Sequence, residues 1–127
     1  MPQAATKLFD TVAKRDHLNF TRPSGGVDYK RVATFLDFDN QDLSRIANVQ
    51  QASVRFDEKM PADLARRLHE IANIANLVAE VFDGDAAKTA LWFSTPNFLL
   101  GEISPRDMIR AGRYKRLLKF IQEAREG

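Results

Sequence analysis

The sequence predicts an all-α protein, and three observations carry that reading. Leu64, Leu68, Ile71, Ala75, Val78 and Phe82 step by 4, 3, 4, 3 and 4 residues, which draws one apolar stripe along a long helix. Helix starts and stops recur along the chain, at Asp28, Asp39, Pro61, Asp83-Gly84-Asp85, Ser104-Pro105 and Gly112. No segment shows a convincing apolar-polar alternation of strand length.

Taken in order, residues 4–16 set Leu8, Phe9, Val12 and Ala13 on one side of a short amphipathic helix. Arg22-Pro23-Ser24-Gly25-Gly26 breaks that pattern, because Pro removes a donor and Gly loosens the backbone. The break is read as the edge between an arm, 1–27, and the folded body. Asp28 caps a helix over 29–37 with Val32, Phe35 and Leu36 inward. Asp39 caps the next, to about Ala47, and Asp42 favours its positive N-terminus. A third short helix covers 50–56. Pro61 opens the long helix to Phe82, and Ile74, Leu77 and Val81 widen its stripe, so it is expected to be buried on more than one side. Asp83-Gly84-Asp85 ends it and caps a helix through Phe93. Pro96-Asn97 is a turn. Ser104, Pro105 and Asp107 start a helix that Gly112 closes, and a last helix over 113–125 turns Tyr114, Leu117, Leu118 and Ile121 inward.

Composition narrows the function. The chain has 127 residues with ordinary globular usage, which suits one domain or two very small ones sharing a core. Nineteen basic against seventeen acidic residues exclude a polybasic tail and an acidic disordered activator. The near balance hides a segregation: residues 1–27 carry +2, 28–60 carry −1, 61–103 carry −3 and 104–127 carry +4. No cysteine means no disulfide, thiolate zinc site or thiol nucleophile. His17 and His69 are the only histidines, no metal-ligand spacing exists, and no phosphate loop follows Gly25-Gly26. A non-enzymatic protein without cofactor or metal is expected. No apolar run approaches a membrane span, and no apolar signal core opens the chain, so a cytoplasmic protein without a membrane partner is expected.

Residues 40–57 meet the needs of a helix-turn-helix. Leu43, Ile46 and Ala47 pin the first helix, Ser44 is small at the crossing, and Asn48 tolerates positive φ in the turn. Val49 and Val54 anchor the second helix, which then exposes Gln50, Gln51, Ser53 and Arg55 as candidate promoter-DNA contacts. Against this, the segment carries no net positive charge and sits in a region, 28–60, of −1, whereas phosphate contacts dominate DNA affinity. Two short helices at a tight turn are also common in proteins that never meet DNA. The stripe from Leu64 to Phe82 admits a dimer seam as well, although an intramolecular core suits its length better.

Residues 90–116 carry a longer ordered motif. The run Trp92 to Asn97, then Leu100-Gly101, Ser104-Pro105, Asp107 and Ile109-Arg110-Ala111-Gly112, resembles the toxin-binding domain of Xre/MbcA/ParS-type antitoxins of RES–Xre toxin–antitoxin modules. Residues 28–83 resemble that family's Xre-like helix-turn-helix domain, and 84–127 its C-terminal toxin-binding domain. The resemblance implies a RES-domain toxin as partner, one that consumes NAD and whose active-site cleft the antitoxin covers. It also implies a homodimer and, in some members, repression of the module's own promoter. Carried onto this chain, the toxin-binding candidates are Trp92, Pro96, Asn97, Gly101, Arg106, Arg110, Arg113, Tyr114 and Arg116. From the residues alone, Trp92, Phe93 and Leu100 suit a core before an interface, and Gly101 and Gly112 are first of all helix stops. Arg106, Arg110, Arg113, Lys115, Arg116 and Lys119 read either as a solvated basic face or as a surface for a cleft built around an anionic cofactor. The alternative function is a stand-alone DNA-binding regulator.

Overall fold

The structure is a computed structural model, and it describes residue 13 and residues 15–126. Among these lie six α-helices: α1 Tyr29–Phe35, α2 Asn40–Ala47, α3 Ala62–Val81, α4 Ala86–Ser94, α5 Pro105–Arg110 and α6 Tyr114–Glu126. Two single 3-10 turns, Gln51–Ser53 and Phe98–Leu100, separate them. The only β pairing among the described residues is two isolated bridges, so the fold is all-α. The amphipathic segment expected over 4–16 falls almost wholly outside the described residues.

α3 is the axis. Leu64, Leu68, Ile71, Ile74, Ala75, Leu77 and Val78 are all buried within one chain, so the stripe forms an intramolecular core and leaves no seam for a partner helix. α1, α2, α4 and α6 each pack on α3, and α5 bridges α2 to α4 and α6. Val32, Leu36, Leu43 and Ile46 come from one side, and Phe93, Ile109, Leu117 and Leu118 from the other. Residues on both sides of position 84 therefore enter the same buried cluster. Val81 departs from expectation. It is 61% exposed although Val78 and Ala79 of the same turn are buried, so it lies on the one side of that turn left uncovered.

The helix starts follow local chemistry. Asp28, Asp85 and Ser104 each accept the amide three residues on, from Arg31, Lys88 and Asp107 respectively. Asp39 and Asp42 cap α2 reciprocally: each side chain accepts the other's backbone N–H. Asn48 ends α2 with φ +57°, in the left-handed region, and Ser44 Oγ donates to the Val49 carbonyl at 2.5 Å. Asn48 thus takes the positive φ expected of it at the end of α2.

The helix expected over 50–56 is not formed. A single 3-10 turn, Gln51–Ser53, gives way to extended backbone at Val54. The cause is periodicity: Val54 and Phe56 both pack on the core while Arg55 and Asp57 stay outside. Residues two apart share a face only in extended chain.

The stretch before α1 also differs from the expected edge. Arg22–Gly26 is a tight turn, with Arg22 N–H donating to the Gly26 carbonyl at 2.8 Å. Gly25 and Gly26 take φ of +92° and +80°, where a side chain is strained. Upstream of that turn, Leu18 and Phe20 are buried, so chain assigned to the arm belongs to the core.

Three polar residues hold this segment. Asn76 of α3, itself buried, accepts the Leu18 N–H at 3.0 Å and donates to Asp16 at 3.1 Å. Asp16 in turn accepts the Phe20 and Thr21 amides. Partial burial pushes the Asp16 carboxyl up, but these hydrogen bonds outweigh it and hold the group below its ordinary range. Glu80 lies beside the same stretch, 3.9 Å from His17, and pairs with Arg125 of α6 at 3.0 Å.

Asn76→Ala strands the buried Leu18 amide. We expect a loss of about 1–3 kcal/mol, read as a lowered midpoint in urea unfolding with an unchanged slope.

Candidate functional site

The motif residues of the C-terminal half build a loop. α4 ends at Ser94, and Thr95 Oγ1 donates to the Leu91 carbonyl at 2.6 Å. Pro96 follows, exposed. Asn97 then organises the next six residues. Its side chain accepts the Leu99 amide at 2.9 Å. Its carbonyl accepts the Leu100 and Glu102 amides, both at 3.0 Å, and its own N–H donates to Ile103 at 3.1 Å. Gly101 closes the turn at φ +85° with open space around its α-carbon. Glycine stands there for conformation rather than for close approach.

This loop divides four apolar residues. Leu100 and Ile103 pack against the core. Phe98 and Leu99 point outward, 78% and 73% exposed. Leu91 at 66% and Val81 at 61% complete the large exposed hydrophobics among the described residues. Val81 and Leu99, but not Leu91 or Phe98, line a groove of about 670 Å³, whose walls also include Val78, Trp92, Phe120 and Arg125. Trp92 is half-buried, and its ring meets buried Phe93 edge-on at 5.1 Å. Isolated exposed apolar residues are ordinary, but several around one concavity mark an interaction surface.

The candidate arginines divide too. Arg110 Nη1 contacts Asp107 at 2.7 Å, and its Nε lies 3.1 Å from Asp42. Its guanidinium also stands 5.9 Å from the Phe38 ring centre. Arg106 reaches Asp37 at 3.6 Å. Both side chains are largely covered and face the α1–α2 side of the fold, so they tie α5 to the body. Tyr114 is buried beneath the Arg67 guanidinium, 4.3 Å from its ring centre. Desolvation raises its phenol above the ordinary value. Arg113 and Arg116 are exposed. The proposed toxin contacts therefore separate into a groove-and-loop group (Trp92, Pro96, Asn97, Gly101), an inward group (Arg106, Arg110, Tyr114) and an outward cationic group (Arg113, Arg116).

At the other candidate surface, Gln50 and Gln51 are exposed and Ser53 is half-buried. Arg55 is held by Asp57 through two contacts, at 2.8 and 2.5 Å, and this pair raises the Arg55 pKa and lowers that of Asp57. Among the described residues no cluster of three metal-ligating side chains occurs, and no helix is long and apolar enough to cross a membrane.

Sequence reasoning missed Val81, Leu91, Phe98 and Leu99. The signal lay in Phe98-Leu99-Leu100, three apolar residues directly after a Pro-Asn turn, which no tight turn can bury together.

Arg110→Ala removes the tie between α5 and the N-terminus of α2. The expected cost is about 1–3 kcal/mol, seen as a lower Tm. Lys119→Ala, on the exposed face, should stay within about 0.5 kcal/mol of the parent.

No family model matches the chain, and no solved structure matches it. Curated proteins do. Over 102 residues the chain is 31% identical to the mycobacterial cidal antitoxin MbcA of Mycobacterium bovis, with 80% of this chain and 82% of that protein covered. The MbcA proteins of two Mycobacterium tuberculosis strains match equally, at 31% over the same 102 residues. At that identity and coverage, the chain belongs to the MbcA antitoxin family.

Proposed function

We propose that this chain neutralises a cognate RES-type, NAD-consuming toxin by direct binding, and that the groove and the loop around Trp92, Pro96, Asn97 and Gly101 cover the toxin's cleft. The observation that carries the reading is the outward pair Phe98 and Leu99, held away from the core by a loop whose backbone bonds are internally satisfied. A rigid loop loses little conformational entropy on docking, and two apolar tips supply the desolvation that binding needs. Family membership supports the antitoxin role.

The cations belong at the edge of this contact. A cleft shaped for a dinucleotide supplies its own donors and positive charge to the pyrophosphate. An array of arginines facing it unpaired is repelled. The apolar rim is the better match.

The test is growth rescue. Phe98→Ser with Leu99→Ser should leave folding intact and weaken toxin binding by about 30-fold or more, the scale of one lost hot spot. Rescue by the double variant at matched expression would remove the loop from the mechanism. Point changes are preferred to deleting residues 104–127, since that deletion takes Ile109, Leu117 and Leu118 out of the core.

Promoter binding through Gln50, Gln51, Ser53 and Arg55 is a second reading. It draws on the turn at Asn48 and on the exposure of Gln50 and Gln51. Under it, Gln51→Ala and Arg55→Ala each weaken a gel shift on the operon's own upstream duplex by about tenfold. Unchanged shifts overturn it.

A further inference from the structure

We propose that the exposed cationic stripe of α6, formed by Lys115, Arg116 and Lys119, binds the phosphate backbone of duplex DNA irrespective of base sequence. This goes beyond the antitoxin reading and uses the exposed face of α6 rather than the groove and the 96–103 loop, and it reassigns Arg116 from the toxin-binding candidates to DNA. All three side chains are exposed, and none has an ion-pair partner among the described residues. At about 100° per residue they fall within roughly 100° of arc. Phe120, Ile121, Ala124 and Arg125, the α6 residues of the groove, centre about 160° away on the same helix. One partner can therefore occupy the groove while another lies along the stripe.

Folding does not account for these cations. α6 is held by Tyr114, Leu117, Leu118 and Ile121, all on the opposite side from the stripe. Its first turn has no acidic residue, yet it holds Lys115 and Arg116. A helix N-terminus carries partial positive charge, so cations there oppose the dipole. Arg113, exposed just before the helix, adds a fourth positive group. The arginines with structural work elsewhere, Arg106, Arg110 and Arg125, each have a carboxylate.

The chemistry fits phosphate better than protein. Protein contacts set apolar groups beside their charges, and this stripe has none between its cations. A phosphate backbone needs only positive charge at suitable spacing. Lys115 and Lys119 are about 6 Å apart along the helix, close to two phosphate steps of about 3.4 Å. The surface at 50–57 is a poorer site, since its one arginine is neutralised by Asp57 with Glu58 beside it.

The experiment is fluorescence anisotropy of the full chain with a labelled duplex of mixed sequence, about 20 base pairs long, over a salt series. With three to four phosphate contacts, the log–log salt slope should lie near −3, so binding weakens about 60-fold between about 50 and 200 mM salt. Lys115→Gln, Arg116→Gln and Lys119→Gln together should weaken low-salt binding about tenfold or more and flatten the slope, with helicity by circular dichroism unchanged. Phe98→Ser should bind duplex like the parent. Absence of binding by the parent, or parental binding by the triple variant, overturns the proposal. So does a triple variant that keeps the duplex yet fails to rescue cells from toxin, which would make the stripe a protein contact. No toxin is present in the anisotropy assay, so its failure leaves the antitoxin reading standing.

Discussion

α3 is apolar around too much of its circumference to rest against a single neighbour. Ten of its residues are buried, including one asparagine. A helix of that kind has to be wrapped, and the remaining elements are arranged by this demand. α1 and α2 cover one side, α4 and α6 the other, and α5 closes the gap between them. The chain ahead of α1 is recruited as well, because Leu18 and Phe20 fill space that the short α1 leaves open. Asn76 is the polar exception on α3, and its bonds to Leu18 and Asp16 make that recruitment specific.

Helical architecture was legible because its signals are local. Aspartate and serine caps act within one turn, so Asp28, Asp39, Asp85 and Ser104 announce the helices they start. The apolar stripe of α3 and the inward set of α6 follow the same short-range logic. Residues 50–56 were misread because an apolar residue every few positions suits a helix until two anchors, Val54 and Phe56, turn out to share one side. The role of the chain before Val27 was hidden for another reason. It depends on Asn76, some 58–60 residues away, and no window of sequence contains both.

The 96–103 loop was legible in its scaffold more than in the side chains it presents. Trp92, Asn97 and Gly101 do frame a surface, but Asn97 and Gly101 serve as its scaffold. The groups that meet solvent, Phe98 and Leu99, are their neighbours. Charge was the harder part. A count of +4 over residues 104–127 treats every arginine alike. In the fold, Arg106 and Arg110 answer Asp37 and Asp42 of the acidic body, and Arg125 answers Glu80. The segregation of charge along the chain is thus partly the two halves of an internal attachment. Only the start of α6 keeps an outward excess.

The division of labour within the 96–103 loop separates shape from identity. Backbone bonds, one asparagine side chain and one left-handed glycine determine its course. Phe98 and Leu99 contribute almost nothing to that course. Their side chains are therefore free to change in size and chemistry while the scaffold stays fixed. If the loop meets the toxin as proposed, a duplicated copy of such a gene could acquire a new partner by altering two adjacent codons, with no compensation elsewhere in the fold. Families of paired proteins that must avoid cross-reacting within one cell need that kind of economy.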